Sequence, residues 1–221
     1  TFMTTIGFSQ SNVMTLEQLI QMNRDSAVGI SNDGQQVIYK TSTFDLKTNE
    51  RTTKLFSVAV DGGVVTTLEE VGNLVADKNI SPDGKWKLVA KDVKIQKVTG
   101  TDHYKDVPNS NVYIYNGLNY RHWDKWEDGN FSHLFIQSAT DADDPGIDLM
   151  EGEPYDCPQQ PFGGDEDYIW SPDGTKVLYV TKKLAGTAYA VSTNTDIYEY
   201  NIATKQTTNL TESNKGYDTQ P

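Results

Sequence analysis

A dense group of side chains able to bind a ligand stands in the middle of the chain. Residues 120–124 read Y-R-H-W-D, so Tyr120, Arg121, His122, Trp123 and Asp124 follow one another without a gap. An arginine can hold a carboxylate or a carbonyl oxygen and an aspartate can hold an amine, and such charge-assisted hydrogen bonds are strong when partly buried. The five residues are therefore candidate substrate-binding residues.

A structural role explains the same residues, and the sequence leaves both interpretations open. Arg121 could pair with Asp124 while Trp123 and Trp126 fill the space between neighbouring sheets. His122 is the weakest candidate of the group, because a single histidine in a strand is usually held by hydrogen bonds alone.

Acidic residues are concentrated in a second region, residues 141–164, which is also rich in Pro and Gly. Carboxylates at this density could bind Ca²⁺, but their spacing does not match an EF-hand loop. We therefore favour a solvated loop. A further acidic trio at residues 165–167 could attract an amine. The carboxylates within residues 141–164 are those of Asp141, Asp143, Asp144, Asp148, Glu151, Glu153 and Asp156.

The other reactive residue types do not form a recognisable cofactor or nucleophile site. His103, His122 and His133 are scattered and Cys157 is the one cysteine, so the sequence has no zinc-site spacing. The sequence contains no G-x-S-x-G nucleophile turn. Residues 7–11 come close to this pattern, but they read G-F-S-Q-S and so end in serine instead of glycine. We predict no metal and no cofactor.

Composition excludes two classes of partner. The net charge is −12 and the isoelectric point about 4.6, so the surface repels nucleic-acid backbones and anionic lipid. No stretch approaches the roughly 20 apolar residues of a membrane span.

We interpret residues 1–13 as the remnant of a signal peptide or as a disordered N-terminus. Residues 14–221 are predicted to belong to one domain.

A repeated turn organises the chain. S-N-D-G occurs at residues 31–34 and S-P-D-G at residues 81–84 and 171–174. Each is a tight turn followed by a strand pattern. The first and third copies continue alike into a second hairpin, at residues 55–68 and 197–210. The repeat predicts about three small antiparallel sheets of about four strands each. Such sheets stack around an axis as the blades of a β-propeller, so the predicted fold is all-β, a partial β-propeller.

The spacing between turns indicates an insertion. The first two turns lie 50 residues apart and the last two 90 apart. The longer interval holds either one blade with a large insertion, which we favour, or two blades with one degenerate turn. We expect residues 112–115 to be an outer strand and residues 133–136 to resume the sheet. A helix should begin after Thr15, where Gln18 completes a capping box, and lead into the first sheet.

The longer segments resemble one enzyme family. W-S-P-D-G at residues 170–174 is similar to the propeller repeat of TolB-like proteins and prolyl-oligopeptidase-family serine peptidases. The segments at residues 118–126, 155–158 with 161–164, and 192–198 resemble the dipeptidyl-peptidase 5 and acylaminoacyl-peptidase-like branch of that family. The opening M-T-L-E-Q-L at residues 14–19 does so too. The resemblance runs from about residue 14 to the end.

That resemblance implies a two-domain exopeptidase. A propeller would limit access to a C-terminal α/β-hydrolase domain of the same polypeptide, whose Ser-Asp-His triad would cleave short peptides and release N-terminal dipeptides. It also implies a periplasmic or secreted location. The 221 residues, which lack the nucleophile turn, are then the recognition part and are expected to be inactive alone.

Two other classes of function compete with this one. The chain could be part of a stand-alone TolB-like propeller that binds proteins or ligands, or of a propeller with its own carbohydrate or metal site. An open propeller leaves strand edges unpaired, so we also expect marginal stability or self-association, for example as a homodimer.

Overall fold

The structure is a computed structural model, and it describes residues 13–118, 120–122 and 124–221. Of the predicted N-terminal segment, residues 1–12 lie outside the described residues. The chain divides into two compact units, Thr1–Ala76 and Asp77–Pro221. Both are built from antiparallel sheets with few and short helices, so the predicted all-β class is confirmed.

In the described residues of the first unit, 13–76, the structure has one helix and one four-stranded sheet. Thr15 accepts a hydrogen bond from the backbone N–H of Gln18, whose side chain accepts one from the backbone N–H of Thr15, so the predicted capping box is confirmed. Ile38 is buried on the sheet. The elements are α1 (Leu16–Gln21), β1 (Arg24–Ile30), β2 (Gln36–Asp45), β3 (Glu50–Ala59) and β4 (Thr66–Leu68), with the strands in that order across the sheet.

The second unit contains a three-stranded and a four-stranded sheet joined by long connections. Its first sheet consists of β5 (Trp86–Lys94), β8 (Asn130–Ser138) and β9 (Ile147–Asp148), and between β5 and β8 come α2 (Gly100–His103) and a short hairpin, β6 (Arg121–His122) with β7 (Lys125–Trp126). The second sheet consists of β10 (Tyr168–Trp170), β11 (Lys176–Thr181), β12 (Asp196–Asn201) and β13 (Gln206–Asn209), with α3 (Gly186–Val191) between β11 and β12.

The three repeated turns share one hydrogen-bond pattern. In each, the serine hydroxyl donates to the aspartate two residues later and accepts from the backbone N–H five residues later, at 2.9 Å. The closing glycine has φ between 70° and 72°, a conformation that other residues adopt at a cost. The serines are Ser31, Ser81 and Ser171, and the glycines are Gly34, Gly84 and Gly174.

The core of the second unit lies between its three-stranded and its four-stranded sheet. Leu88 and Leu134 point from the first sheet, and Val177 and Tyr179 from the second, and all four side chains are almost fully buried. Tyr179 stacks on Tyr198 of the neighbouring strand with ring centroids 5.7 Å apart. The sheets therefore pack face to face through alternate residues of their strands.

One predicted strand is wrong. Residues 112–115 do not join the sheet, because Tyr113 makes only an isolated bridge with Thr99 inside the insertion. The strand that pairs with β5 is β8, which contains the predicted residues 133–136. Between the second and third turns the described residues form the three-stranded sheet of β5, β8 and β9, and the two-stranded hairpin of β6 and β7 lies between β5 and β8 along the chain. The aromatic residues at 112–115 have a strand-like pattern because they stack within that insertion.

Candidate functional site

The insertion of residues 95–129 is closed at its base by backbone contacts. Ile95 and Gln96 donate hydrogen bonds to the carbonyl oxygen of Gly129, at 2.9 and 3.1 Å. Gly129 has φ 86°, and a Cβ there would lie 2.2 Å from the carbonyl oxygen of Gln96. Lys94 Nζ donates to the carbonyl oxygen of Asp128 at 2.6 Å. Both ends of the insertion are thereby fixed beside the start of β8.

The carboxylate of Asp102 anchors the first half of the insertion. It lies 2.8 Å from Lys94 Nζ and accepts hydrogen bonds from the backbone N–H groups of Val98 and Thr99, at 2.9 and 2.8 Å. The ammonium of Lys94 first, and then the two N–H groups, hold the pKa of Asp102 well below its usual range. The insertion is thus an ordered element attached to β5.

A cavity of about 300 Å³ lies where the insertion meets β8 and two later segments. Its lining comes from the insertion, from the start of β8, from the segment before Cys157, and from the connection between β11 and α3. Among the lining residues are Leu118, His122, Asp124, Lys125, Glu127, Asp128, Phe131, Ser132, Tyr155, Asp156, Pro161, Leu184 and Tyr189.

The cavity has an excess of negative charge. Its lining includes the carboxylates of Asp92, Asp124, Glu127, Asp128 and Asp156, and Lys125 contributes the single ammonium group among the described lining residues. Charges of one sign in a concave, partly desolvated site attract ligands of the other sign. The cavity is therefore suited to a cation.

Asp156 is a half-buried member of this acidic group. Its Oδ1 accepts a hydrogen bond from the backbone N–H of Ser132 at 2.9 Å, and its carbonyl oxygen accepts one from Thr181 Oγ1 at 2.8 Å. Burial raises the pKa of Asp156 to about 6, against the opposing effect of the Ser132 N–H. The nearby charge of Glu127 raises it further, and Lys125 and His133 lower it. A bound cation would favour the ionised carboxylate.

Glu127 shares this environment. Burial is the main cause that raises the pKa of Glu127, and the charge of Asp128 adds to it, while Lys125 and His122 act in the opposite direction. Two carboxylates whose burial disfavours ionisation therefore line one cavity. A compact ammonium placed among them would replace lost hydration with charge-assisted hydrogen bonds.

The remaining walls are apolar and aromatic. Leu118, Phe131, Pro161, Leu184 and Tyr189 all line the cavity. Walls of this kind accept hydrocarbon or aromatic groups, while a few polar groups fix orientation. The chemistry of the cavity thus suits an ammonium group attached to an apolar or aromatic group.

Comparison with known proteins supports a dipeptidyl-peptidase family for this chain. Dipeptidyl-peptidase 5 of Porphyromonas gingivalis is 36% identical over 97% of this chain. The protein of that name from Porphyromonas endodontalis is 31% identical over 96% of the chain, and the one from Schizosaccharomyces pombe is 32% identical over 51%. No protein-family model matches the sequence.

The chain spans only part of its dipeptidyl-peptidase 5 relatives. It covers 38% of the length of the Porphyromonas gingivalis protein and 37% of the Porphyromonas endodontalis protein. These similarities support a peptidase-related function. No helix within the described part of the chain is both long enough and apolar enough to cross a membrane.

The structure places the predicted binding residues of this chain in two separate regions. His122 and Asp124 line the cavity. Arg121 lies over the ring of Trp126, its cross-strand neighbour, with the guanidinium carbon 5.0 Å from the ring centroid. Trp123 lies outside the described residues.

Tyr120 belongs to an aromatic stack on the insertion. Its ring centroid lies 5.5 Å from that of Tyr115 and 6.1 Å from that of Trp126, and Tyr113 stacks on both Tyr115 and Trp126. Stacking of this kind orders the insertion, which in turn presents His122 and Asp124 to the cavity. Arg121 contacts Trp126, whereas the structural interpretation of the sequence paired Arg121 with Asp124 and placed Trp126 between neighbouring sheets.

The expectation of a solvated loop at residues 141–164 is wrong for its central part. Leu149, Met150 and Cys157 are buried in the core of the second unit. The oxygens of Asp144 and Asp148 accept backbone N–H groups rather than facing solvent alone. Within the described ranges, no group of three or more histidine, cysteine or acidic side chains is placed to hold a metal ion.

The acidic trio at residues 165–167 is also partly structural. Asp167 is buried, and its Oδ2 accepts a hydrogen bond from the backbone N–H of Gln159 at 2.9 Å. Burial raises the pKa of Asp167, with the Gln159 N–H opposing that effect. This residue holds the segment that follows Cys157 in place.

Sequence reasoning missed Asp156 and Glu127 as members of a site. Asp156 was grouped with solvated carboxylates and Glu127 was not singled out. The one signal in the sequence is the position of Asp156 in the Y-D-C-P segment at residues 155–158, one of the segments that resemble the peptidase family. Both residues are partly buried in one cavity, to which Glu127 comes from the insertion and Asp156 from a later segment of the chain. No local sequence pattern shows that they meet.

Proposed function

We propose that the chain is the recognition part of a serine exopeptidase that releases dipeptides from the N-terminus of short peptides. The small antiparallel sheets are blades of a propeller, and an α/β-hydrolase domain further along the polypeptide supplies the nucleophile. The protein acts in the periplasm or outside the cell. The names of the relatives support a dipeptidyl peptidase, and the repeated turns support the propeller.

One observation carries the role of this part: a cavity lined by the half-buried carboxylate of Asp156, by Glu127 and by Asp124, with apolar walls. In this proposal the carboxylates bind the protonated N-terminal amine of the substrate, and the apolar walls contact its first side chain. Fixing the amine sets the distance to the scissile bond, and it explains why the products are dipeptides. Substrates with a blocked N-terminus would lose the charge-assisted bonds.

The test uses the full-length protein and dipeptide 4-nitroanilides with a free or an acetylated N-terminus. Activity should require the free amine. Asp156→Asn should raise KM about 10-fold or more, since a hydrogen bond to a charged group contributes about 1.5–3 kcal/mol. Asp143→Asn, which removes the same charge from an exposed position of the same segment, should leave KM unchanged.

Equal activity on the acetylated substrates, or an unchanged KM in Asp156→Asn, would overturn the assignment of the cavity. A folded full-length protein with no peptidase activity would overturn the enzyme itself and leave a binding propeller as the function.

A further inference from the structure

A buried glutamine joins two walls of the cavity. Gln159 is only 5% exposed. Its Oε1 accepts the backbone N–H of Lys182 at 2.9 Å, and its Nε2 donates to the carbonyl oxygen of Gln160 at 2.8 Å. The same Nε2 lies 3.5 Å from the hydroxyl oxygen of Tyr189. Because Gln160 and Tyr189 both line the cavity, one side-chain amide ties the two walls together.

The ring of Tyr189 is held by a lysine ammonium. Lys182 Nζ lies 4.0 Å from the ring centroid and donates a hydrogen bond to the carbonyl oxygen of Tyr189 at 2.7 Å. It also donates to the carbonyl oxygen of Ser192, just past the end of α3. A cation over an aromatic face is attracted to the ring. The ammonium therefore fixes the ring and the backbone of α3 in one arrangement, so the ring resists displacement by a ligand.

The residue before Lys182 holds the segment that carries Asp156. Thr181, the last residue of β11, is completely buried, and its Oγ1 donates to the carbonyl oxygen of Asp156 at 2.8 Å. Two consecutive residues at the end of one strand thus contact the carboxylate segment and the aromatic ring. Since Asp156 and Tyr189 line the same cavity, the strand end fixes the separation between them.

A fixed separation between a carboxylate and a ring has a consequence for the ligand. A residue at a peptide N-terminus carries its ammonium and its side chain on the same Cα, so a site that binds the ammonium directs the side chain to a limited part of the wall. At about 300 Å³ the cavity is at the small end of the range of ligand sites. A rigid ring in such a cavity packs against a side chain that reaches it and collides with a longer one, because overpacking is costly.

We propose that Tyr189 is a specificity-determining residue, which selects substrates whose first residue has a medium-sized apolar side chain, such as leucine, and rejects larger ones, such as tryptophan. Lys182 is the positioning residue that keeps the ring in place. The proposal rests on the function proposed above, in which Asp156 binds the amine of the substrate.

The experiment measures kcat/KM of the full-length protein for the 4-nitroanilides of glycyl-alanine, leucyl-alanine and tryptophyl-alanine, which differ only in the first residue. The unaltered protein should cleave the leucyl substrate about 10-fold or more efficiently than either of the others, since even one methylene in a fitted apolar pocket changes kcat/KM by about that factor. Equal values for the three substrates would overturn the proposal, and this result does not depend on the folding of any variant.

Tyr189→Ala is the informative variant. Removing the ring opens the wall, so the ratio of kcat/KM for the tryptophyl substrate to that for the leucyl substrate should rise about 10-fold or more. Tyr189→Phe keeps the ring and should keep the ratio of the unaltered protein. The control is Tyr217→Ala, which removes a ring that is 53% exposed and is not among the lining residues of the cavity. This control should leave the ratio unchanged.

Lys182→Met tests the positioning role. The methionine keeps an unbranched apolar stem but loses the ammonium over the ring, so the ratio should rise about two- to fivefold, which is the effect of losing a partly exposed cation–π contact. A lysine that served stability alone would give a variant with less active protein, which lowers the activity on both substrates equally and leaves their ratio in place.

The outcomes separate the two proposals. If Asp156→Asn keeps the requirement for a free amine, the cavity is not the amine site and both proposals fall. If Asp156→Asn weakens that requirement but Tyr189→Ala leaves the ratio unchanged, or Tyr189→Phe raises it as much as Tyr189→Ala, only the role of Tyr189 is overturned. An unchanged ratio in Lys182→Met, with the expected change in Tyr189→Ala, overturns the positioning role of Lys182.

Discussion

The indole N–H of Trp170 donates a 2.8 Å hydrogen bond to the carbonyl oxygen of Asn79. Trp170 directly precedes the third repeated turn, and Asn79 stands two residues before the second. The same carbonyl oxygen accepts the N–H of Leu88 at 2.9 Å. A side chain of one repeat is thus joined to the backbone of the preceding repeat, which explains why a tryptophan stands immediately before this turn.

Trp170→Phe should destabilise the protein. The ring that remains fills most of the buried site, but the Asn79 carbonyl loses a donor, and the cost should be about 1 kcal/mol for the hydrogen bond plus a contribution from lost volume. Urea unfolding of the full-length protein, followed by fluorescence, measures the change. Trp86→Phe, at a position that is 41% exposed, is the control and should cost much less; equal effects would contradict this role of Trp170.

The repeated turns should make stability depend on acid pH. Hydrogen bonds from the Ser171 hydroxyl first, and then from the Thr175 N–H, lower the pKa of Asp173 to about 2. Because the folded-state pKa lies below the ordinary value of 3.8, the stabilisation is complete above pH 3.8 and is lost as the pH falls towards 2. In Asp173→Asn, thermal unfolding should respond less to pH over this window. If the unfolding temperature of Asp173→Asn depended on pH as steeply as that of the unaltered protein, Asp173 would not be the source of this pH dependence.

Gly129→Ala should disrupt the base of the insertion. The residue has positive φ, and the added Cβ would collide with the backbone oxygen of Gln96, so we expect a loss of about 2–4 kcal/mol and weaker peptide binding. An alanine at position 84 would also have to adopt a positive φ, but its Cβ would have no neighbouring atom within 4 Å. Gly84→Ala should therefore lower the free energy of unfolding by only about 1 kcal/mol. Chemical denaturation of the two variants tests the difference, and similar losses would contradict it.

Asp124→Ala and Arg121→Ala should separate binding from packing. Removing a cavity carboxylate should raise KM for free-amine substrates several-fold, with kcat less affected. Removing the guanidinium above Trp126 should change KM little and cost about 0.5–1 kcal/mol of stability. Steady-state kinetics and thermal unfolding of the full-length variants check both effects; a large KM effect of Arg121→Ala would return Arg121 to the site.

The sequence by itself determined the features whose causes are local. The turns at Gly34, Gly84 and Gly174 and the capping box of Thr15 with Gln18 were predicted because their hydrogen bonds join residues at most five positions apart. Strand pattern and repeat spacing likewise predicted an all-β chain with an insertion between the second and third turns.

Only the tertiary structure decided which residues meet across longer separations. Asp156 is placed by Ser132, 24 residues away, and His133 by Asp148 and Glu153, 15 and 20 residues away. The tertiary structure also decided the role of Tyr113 and Tyr115. Their alternating pattern predicts a β-strand, but in the structure their rings stack within the insertion and do not belong to a sheet strand. Burial, which raises the pKa of Asp156 and Glu127, depends on such distant neighbours. A carboxylate in a loop looks the same in sequence whether it is solvated or enclosed.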